Sequence, residues 1–135
     1  MRNWLLPFIL FGALSASGQE PIVIANSTGT DQWQPDQIQD IFIGERSFWD
    51  KDKPVTVVLP FNKTESFEKT ANWALDSDGF DYQKHWLSLV FQGRANAPVF
   101  VANELEIIRY VSSHAGAVGI LHFTEGPEEF RLQIQ

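Results

Sequence analysis

The chain reads as an α/β domain with a mixed, mostly parallel sheet flanked by helices. Three observations predict this class. Short β-branched apolar runs recur at residues 21–25, 54–60 and 117–121, and each is short enough for a buried strand. Stretches of helical periodicity lie between them. No cysteine occurs in the 135 residues, so disulfides, thiolate metal sites and cysteine nucleophiles are excluded and the fold rests on its core.

Met1, Arg2 and Asn3 precede an apolar run from Trp4 to Leu14, and small residues follow from Ser15 to Gly18. A positive start, a short apolar core and a small-residue exit are the three parts of a secretory signal peptide. The run is shorter than the roughly 20 apolar residues a spanning helix needs. Residues 1–18 are therefore expected to be removed, leaving a domain over 19–135 that is soluble in the periplasm, with no stable membrane insertion. The missing cysteine also rules out a lipid-modified mature N-terminus.

Ile22, Val23 and Ile24 form the first strand run, which passes into the polar loop Asn26, Ser27, Thr28, Gly29 and Thr30. Pro35 opens a helix with Ile38, Ile41 and Phe42 on one face, and Gly44 is placed to close it. The run Val55 to Leu59 has a proline at each end. Thr64 or Asn62 can cap the next helix, whose face is Phe67, Ala71, Ala74 and Leu75. Tyr82, Trp86, Leu89 and Val90 mark a third helix up to Gly93. Asn103, Glu104, Leu105 and Glu106 resemble a capping box before a fourth, with Leu105, Ile108 and Val111 facing inward. Residues 117–121 are a further buried strand, and 130–134 alternate like an edge strand.

The chain has 10 basic and 17 acidic residues, a net charge of −7 that becomes −8 once Arg2 is lost with the leader. That sign disfavours nucleic acid and anionic membranes as partners. Enzyme classes fare poorly as well. His85, His114 and His122 have no metal-ligand spacing, and His114 near a helix end suits the helix dipole better. Glu104/Glu106, Asp50/Asp52 and Glu128/Glu129 read as caps, turns and solvated faces. No nucleophile elbow, Walker loop or dinucleotide fingerprint is present. The expectation is a non-enzyme without metal or cofactor.

Ile41, Phe42, Ile43 and Gly44 with Trp49 close behind, Val55 to Leu59 leading into a helix with Phe67, His85 and Trp86 followed by Phe91 to Arg94 and Ala97-Pro98, and the run Gly116 to Ile120 occur in that order. Together they resemble the phosphate-type periplasmic substrate-binding proteins of ABC transporters, over residues 22–122. The resemblance implies a single periplasmic-binding-protein-like lobe, about half of the two-lobed proteins that close on an anion. Phe42, Trp49, Trp86 and Phe91 serve that argument as core residues.

Ligands of such sheets sit beyond the carboxyl ends of strands, which nominates the loops at 26–30 and 61–66; an open crevice between them would support binding and a filled one an interaction role. In the second loop Lys63, Thr64 and Ser66 could donate to an anion, but the family's Arg and Ser-Gly-Thr are absent and Glu65 would repel one. Capping by Thr64 or Asn62, with Lys63 in solvent, outweighs the anion reading there. Asn26, Ser27 and Thr28 make the richer donor cluster, for which a plain polar turn is an equal account. Two functions follow. One is a solute-binding domain for phosphate or a related small anion, serving transport or sensing. The other is a non-catalytic envelope interaction or sensory module that kept the fold and lost the ligand, touching an envelope or transporter protein through aromatics such as Trp33 and Trp49. The missing Arg and Ser-Gly-Thr favour the second.

Overall fold

The computed structural model describes residues 20–29, 32–50 and 52–134. The expected signal segment, residues 1–18, and Thr30 of the first polar loop lie outside the described residues. The elements in chain order are β1 (Ile22–Ala25), β2 (Gln32–Trp33), α1 (Pro35–Phe42), β3 (Thr56–Pro60), α2 (Glu65–Leu75), α3 (Gly79–Phe91), β4 (Val99–Val101), α4 (Glu104–Ser113), β5 (Ala117–Leu121), a 3-10 turn (Glu128–Phe130) and β6 (Gln133–Ile134).

The main sheet runs β1-β5-β3-β4, with β3 parallel to both β4 and β5 and β1 antiparallel to β5. Its central strands are apolar apart from Thr56 at the start of β3, because both faces are covered. Val23, Val57, Leu59, Val118 and Ile120 point to one side, where they pack with Ile38 and Phe42 of α1, Phe67 and Ala71 of α2, and Tyr82 and Trp86 of α3. Ile24, Val58, Ala117 and Leu121 point to the other, against Ile107 and Val111 of α4. Gly119 lets α4 approach, since a Cβ there would lie 2.2 Å from Ile107 Cγ2.

The helix ends follow the local chemistry. Thr64 caps α2 by accepting from the Phe67 N–H at 3.1 Å. Gly44, at φ +80°, ends α1 with the Glu45 N–H donating to the Asp40 carbonyl and its own N–H to Ile41, a Schellman closure. His114 caps the end of α4, with Nδ1 2.9 Å from the Tyr110 carbonyl oxygen and its ring stacked on Tyr110.

Four expectations need correction. Residues 130–134 do not form one continuous edge strand; Phe130 ends the 3-10 turn, Arg131 makes a single antiparallel bridge to Ile24 of β1 with the Leu132 N–H donating to the Val23 carbonyl at 2.9 Å, and Gln133–Ile134 pairs in parallel with β2 in a separate two-stranded sheet. The inward face of α4 is Glu104, Ile107 and Val111, while Leu105 is exposed, because a carboxylate occupies the first core-facing position. Trp33 and Trp49 are buried against each other, ring centroids 5.1 Å apart, and offer no contact surface. Phe91 is exposed on the outside of α3 rather than in the core. The strands β2 and β4 had no visible signal, being two and three residues long.

Gly116 is the tightest backbone junction. It has φ +88°, its carbonyl accepts from Trp49 Nε1 at 2.9 Å and from the Thr56 N–H at 3.0 Å, and a Cβ would lie 2.5 Å from the Pro54 carbonyl oxygen. Gly116→Ala is expected to cost about 2 kcal/mol or more, from the unfavourable backbone region plus a clash with an immovable carbonyl. Urea denaturation checks this, and a loss under about 0.5 kcal/mol would contradict it.

Candidate functional site

The two nominated loops lie at opposite ends of the sheet. β1 is antiparallel to its neighbour, so Ala25 pairs with Val118 and the Asn26 N–H donates to the Ala117 carbonyl, beside Thr56 at the start of β3. The loop 61–66 leaves the far end of β3, after Pro60. Four strand steps, roughly 13 Å, separate the two ends. The described parts of the two loops therefore share no crevice, either open or filled. The rule of carboxyl ends misleads here because it assumes that all the strands run the same way.

At the first loop, Asn26 spends its polar groups on the fold. Its Nδ2 donates to the Val111 carbonyl at 2.8 Å, at the end of α4, and its carbonyl accepts from the Gly116 N–H at 2.7 Å. Ser27, at φ +58°, is exposed and donates to Asn26 Oδ1 at 2.9 Å. Thr28 is buried.

At the other end, the carboxyl ends of β3, β4 and β5 meet the N-termini of α2 and α4 around an open crevice of about 450 Å³ lined by Pro60, Thr64, Ser66, Glu104, Leu105 and Phe123 among others. This is the arrangement in which backbone N–H groups and helix dipoles favour an anion. Of the proposed donors, Thr64 and Ser66 line this crevice, while Lys63 is exposed in the turn before α2 and is not among the lining residues. The Thr64 hydroxyl is engaged twice, accepting from Phe67 and donating to the Phe61 carbonyl at 2.8 Å.

The anion already present is the carboxylate of Glu104. Its Oε2 accepts from Ser66 Oγ at 2.7 Å and from the His122 N–H at 2.8 Å, and its Oε1 accepts from the Phe123 N–H at 3.0 Å. The Thr124 side chain adds a further bond. One carboxylate thus joins the starts of α2 and α4 to the end of β5. Burial alone would raise its pKa, but the bonds from His122, Ser66, Phe123 and Thr124 outweigh burial and hold it below the ordinary 4.5. Deeper in, His122 Nε2 lies 2.9 Å from Thr70 Oγ1. Burial pushes this imidazole below its ordinary 6.5; Glu104 opposes the shift and Lys69 adds to it.

Sequence reasoning took Glu104 for a cap or a solvated acid, weighed His122 only as a metal ligand and set it aside, and did not single out Thr70. The available signal was the short stretch Asn103 to Glu106, which set Glu104 in the first turn of a helix facing the strand ends. Two exposed apolar side chains, Leu105 and Phe123, line the crevice beside the polar Thr64, Glu65, Asn103 and Thr124. Among the described residues no three His, Asp or Glu side chains are placed to hold a metal ion, and no helix is long and apolar enough to cross a membrane.

No protein-family model matches the chain, and no curated protein matches it by sequence. Solved structures do. An ABC-type phosphate transport receptor from Vibrio cholerae superposes with a TM-score of 0.52 at 15% identity, over 84% of this chain and 45% of that one. A possible phosphate binding protein from Planctomyces limnophilus superposes with a TM-score of 0.55 at 12% identity, over 85% of this chain and 41% of that one. The chain spans less than half the length of these structures. Its α/β sheet and flanking helices therefore have the fold of a single lobe of a phosphate-type periplasmic substrate-binding protein.

Proposed function

We propose that this chain is an exported, non-catalytic domain of the cell envelope that keeps a binding-protein lobe, does not capture free phosphate, and works as an interaction or sensory module. The observation that carries this reading is Glu104. Its carboxylate takes the Ser66 hydroxyl and the His122 and Phe123 amides, the donors that a phosphate in this crevice would need. A second anion would have to displace it or sit beside it, and like charges at that distance repel strongly in a partly dry site. The absent Arg and Ser-Gly-Thr point the same way. Export rests on the three-part N-terminus of residues 1–18, which assigns the body 19–135 to the periplasm. The exposed Leu105 and Phe123 at the crevice replace the buried Trp33 and Trp49 as the aromatic and apolar surface open to an envelope or transporter protein.

A thermal-shift titration of residues 19–135 with phosphate and sulfate tests the reading. A ligand that binds only the folded state stabilises it by about 2.7 kcal/mol at a hundred times its Kd. The expected result is an unchanged midpoint at about 10 mM of either anion. A phosphate-specific rise that Ser66→Ala or Thr64→Ala reduces would establish the anion-binding alternative, and one that Ser27→Ala reduces would move the ligand to the 26–30 loop.

A further inference from the structure

α3 is apolar on two opposite faces. Tyr82, Trp86 and Leu89 are buried in the core. Almost directly opposite, Phe80, Leu87 and Phe91 are 69%, 49% and 84% exposed, with Lys84 in the same stripe. A surface helix of a globular domain has one apolar stripe, so a second one calls for a covering surface. The spacing of this stripe identifies what covers it. Positions 80, 84, 87 and 91 are separated by four, three and four residues, a pattern that is the same read from either end. When two such helices pack antiparallel about a two-fold axis, Phe80 falls opposite Phe91 of the second copy and Lys84 opposite Leu87. Lys84 leans back over Phe80, its amine 5.3 Å from the ring centroid, and so away from the axis.

The charges at the two ends agree with that register. Asp78 and Asp81 stand at the start of α3, and Arg94 follows its end. Antiparallel pairing sets each Arg94 across from the acidic start of the other copy, twice per pair. We infer that this chain forms a homodimer through α3, with Phe80, Leu87 and Phe91 of each copy packed antiparallel on the other and Arg94 facing Asp78 and Asp81. The three side chains expose about 400 Å² per copy, or about 800 Å² across the pair. That lies below the about 1,200 Å² at which specific interfaces become stable, so the dimer is weak and reversible.

Sedimentation equilibrium of residues 19–135 between about 10 μM and about 1 mM reads this directly. The expected result is a mass rising toward twice the monomer, with Phe91→Glu and Leu87→Glu each weakening association at least about tenfold while the thermal midpoint, measured at a dilution where the protein is monomeric, stays unchanged. Arg94→Glu is expected to weaken the dimer several-fold, and Arg94→Glu combined with Asp81→Arg to recover most of the loss. A monomer throughout the range overturns the inference, as does a dimer indifferent to Phe91→Glu and Leu87→Glu. A charge swap that fails to recover the loss overturns the antiparallel register.

Discussion

Glu104→Ala is expected to lower stability by about 3–5 kcal/mol, the range seen when one partner of a buried charged network is removed. The cause is specific. The Ser66 hydroxyl and the His122 and Phe123 amides would be left facing a space with no acceptor, and each buried unsatisfied group costs about 1–3 kcal/mol. For a domain of this size the midpoint should fall by roughly 15–25 °C. Glu104→Gln should lose about half as much, since one oxygen remains an acceptor while the new NH₂ meets a donor. The pH dependence separates this from a simple packing defect. The Glu104 carboxyl is below its ordinary 4.5 in the fold, so its contribution is complete above pH 4.5 and is lost as pH falls through the folded value. The gap between wild type and Glu104→Ala must therefore narrow on acidification, and a gap constant down to pH 3 would rule out the carboxylate as its source. His122 adds a second window. Its folded pKa lies below 6.5, so the unfolded chain takes up a proton that the fold refuses, and stability begins to fall already below that pH. His122→Gln should remove this upper window and leave the lower one.

Trp49→Ala is expected to cost about 3–5 kcal/mol, comparable to other buried Trp truncations. Trp49 is fully buried, packs edge-on against Trp33 and donates through Nε1 to the Gly116 carbonyl. Trp49→Phe keeps most of the ring and loses that bond, so about 1–2 kcal/mol is expected. Urea denaturation followed by circular dichroism orders the two. Equal losses would mean that the hydrogen bond, and not the packing, holds Trp49 onto the β5 junction.

The sequence and the structure agree where the physics is local. The runs at 22–25, 57–60 and 117–121 are apolar without alternation because both faces of the sheet are covered, and that alone makes them legible as buried strands. Pro35, Gly44, Thr64, Asn103 and Gly116 announce element ends because caps and positive φ angles constrain the residue type. The order of motifs from Ile41 to Ile120 pointed to the lobe that the superpositions bear out. The inward face of α4 was misread because its first core position is the polar Glu104, which apolar periodicity discounts. Phe91 was misread for the reverse reason, since an aromatic at helical spacing looks like core whichever way its face turns.

The candidate site was the least legible part. Ser66 and Thr64 could be named as donors from their place before a helix, but not that Ser66 already has its acceptor 38 residues away in the chain. The 26–30 loop looked equivalent to the 61–66 loop until the antiparallel direction of β1 put them at opposite ends of the sheet. By itself, then, the sequence determined the α/β class, the three buried strands, the helix caps and the likeness of the fold to a binding-protein lobe, all set by hydrophobic period and by backbone chemistry over a few residues. Only the tertiary structure decided that the donors of the crevice are taken by the chain's own carboxylate and that α3 carries an exposed apolar stripe. Strand direction, helix rotation and the partner of a buried charge are relations between distant segments, and local pattern does not encode them.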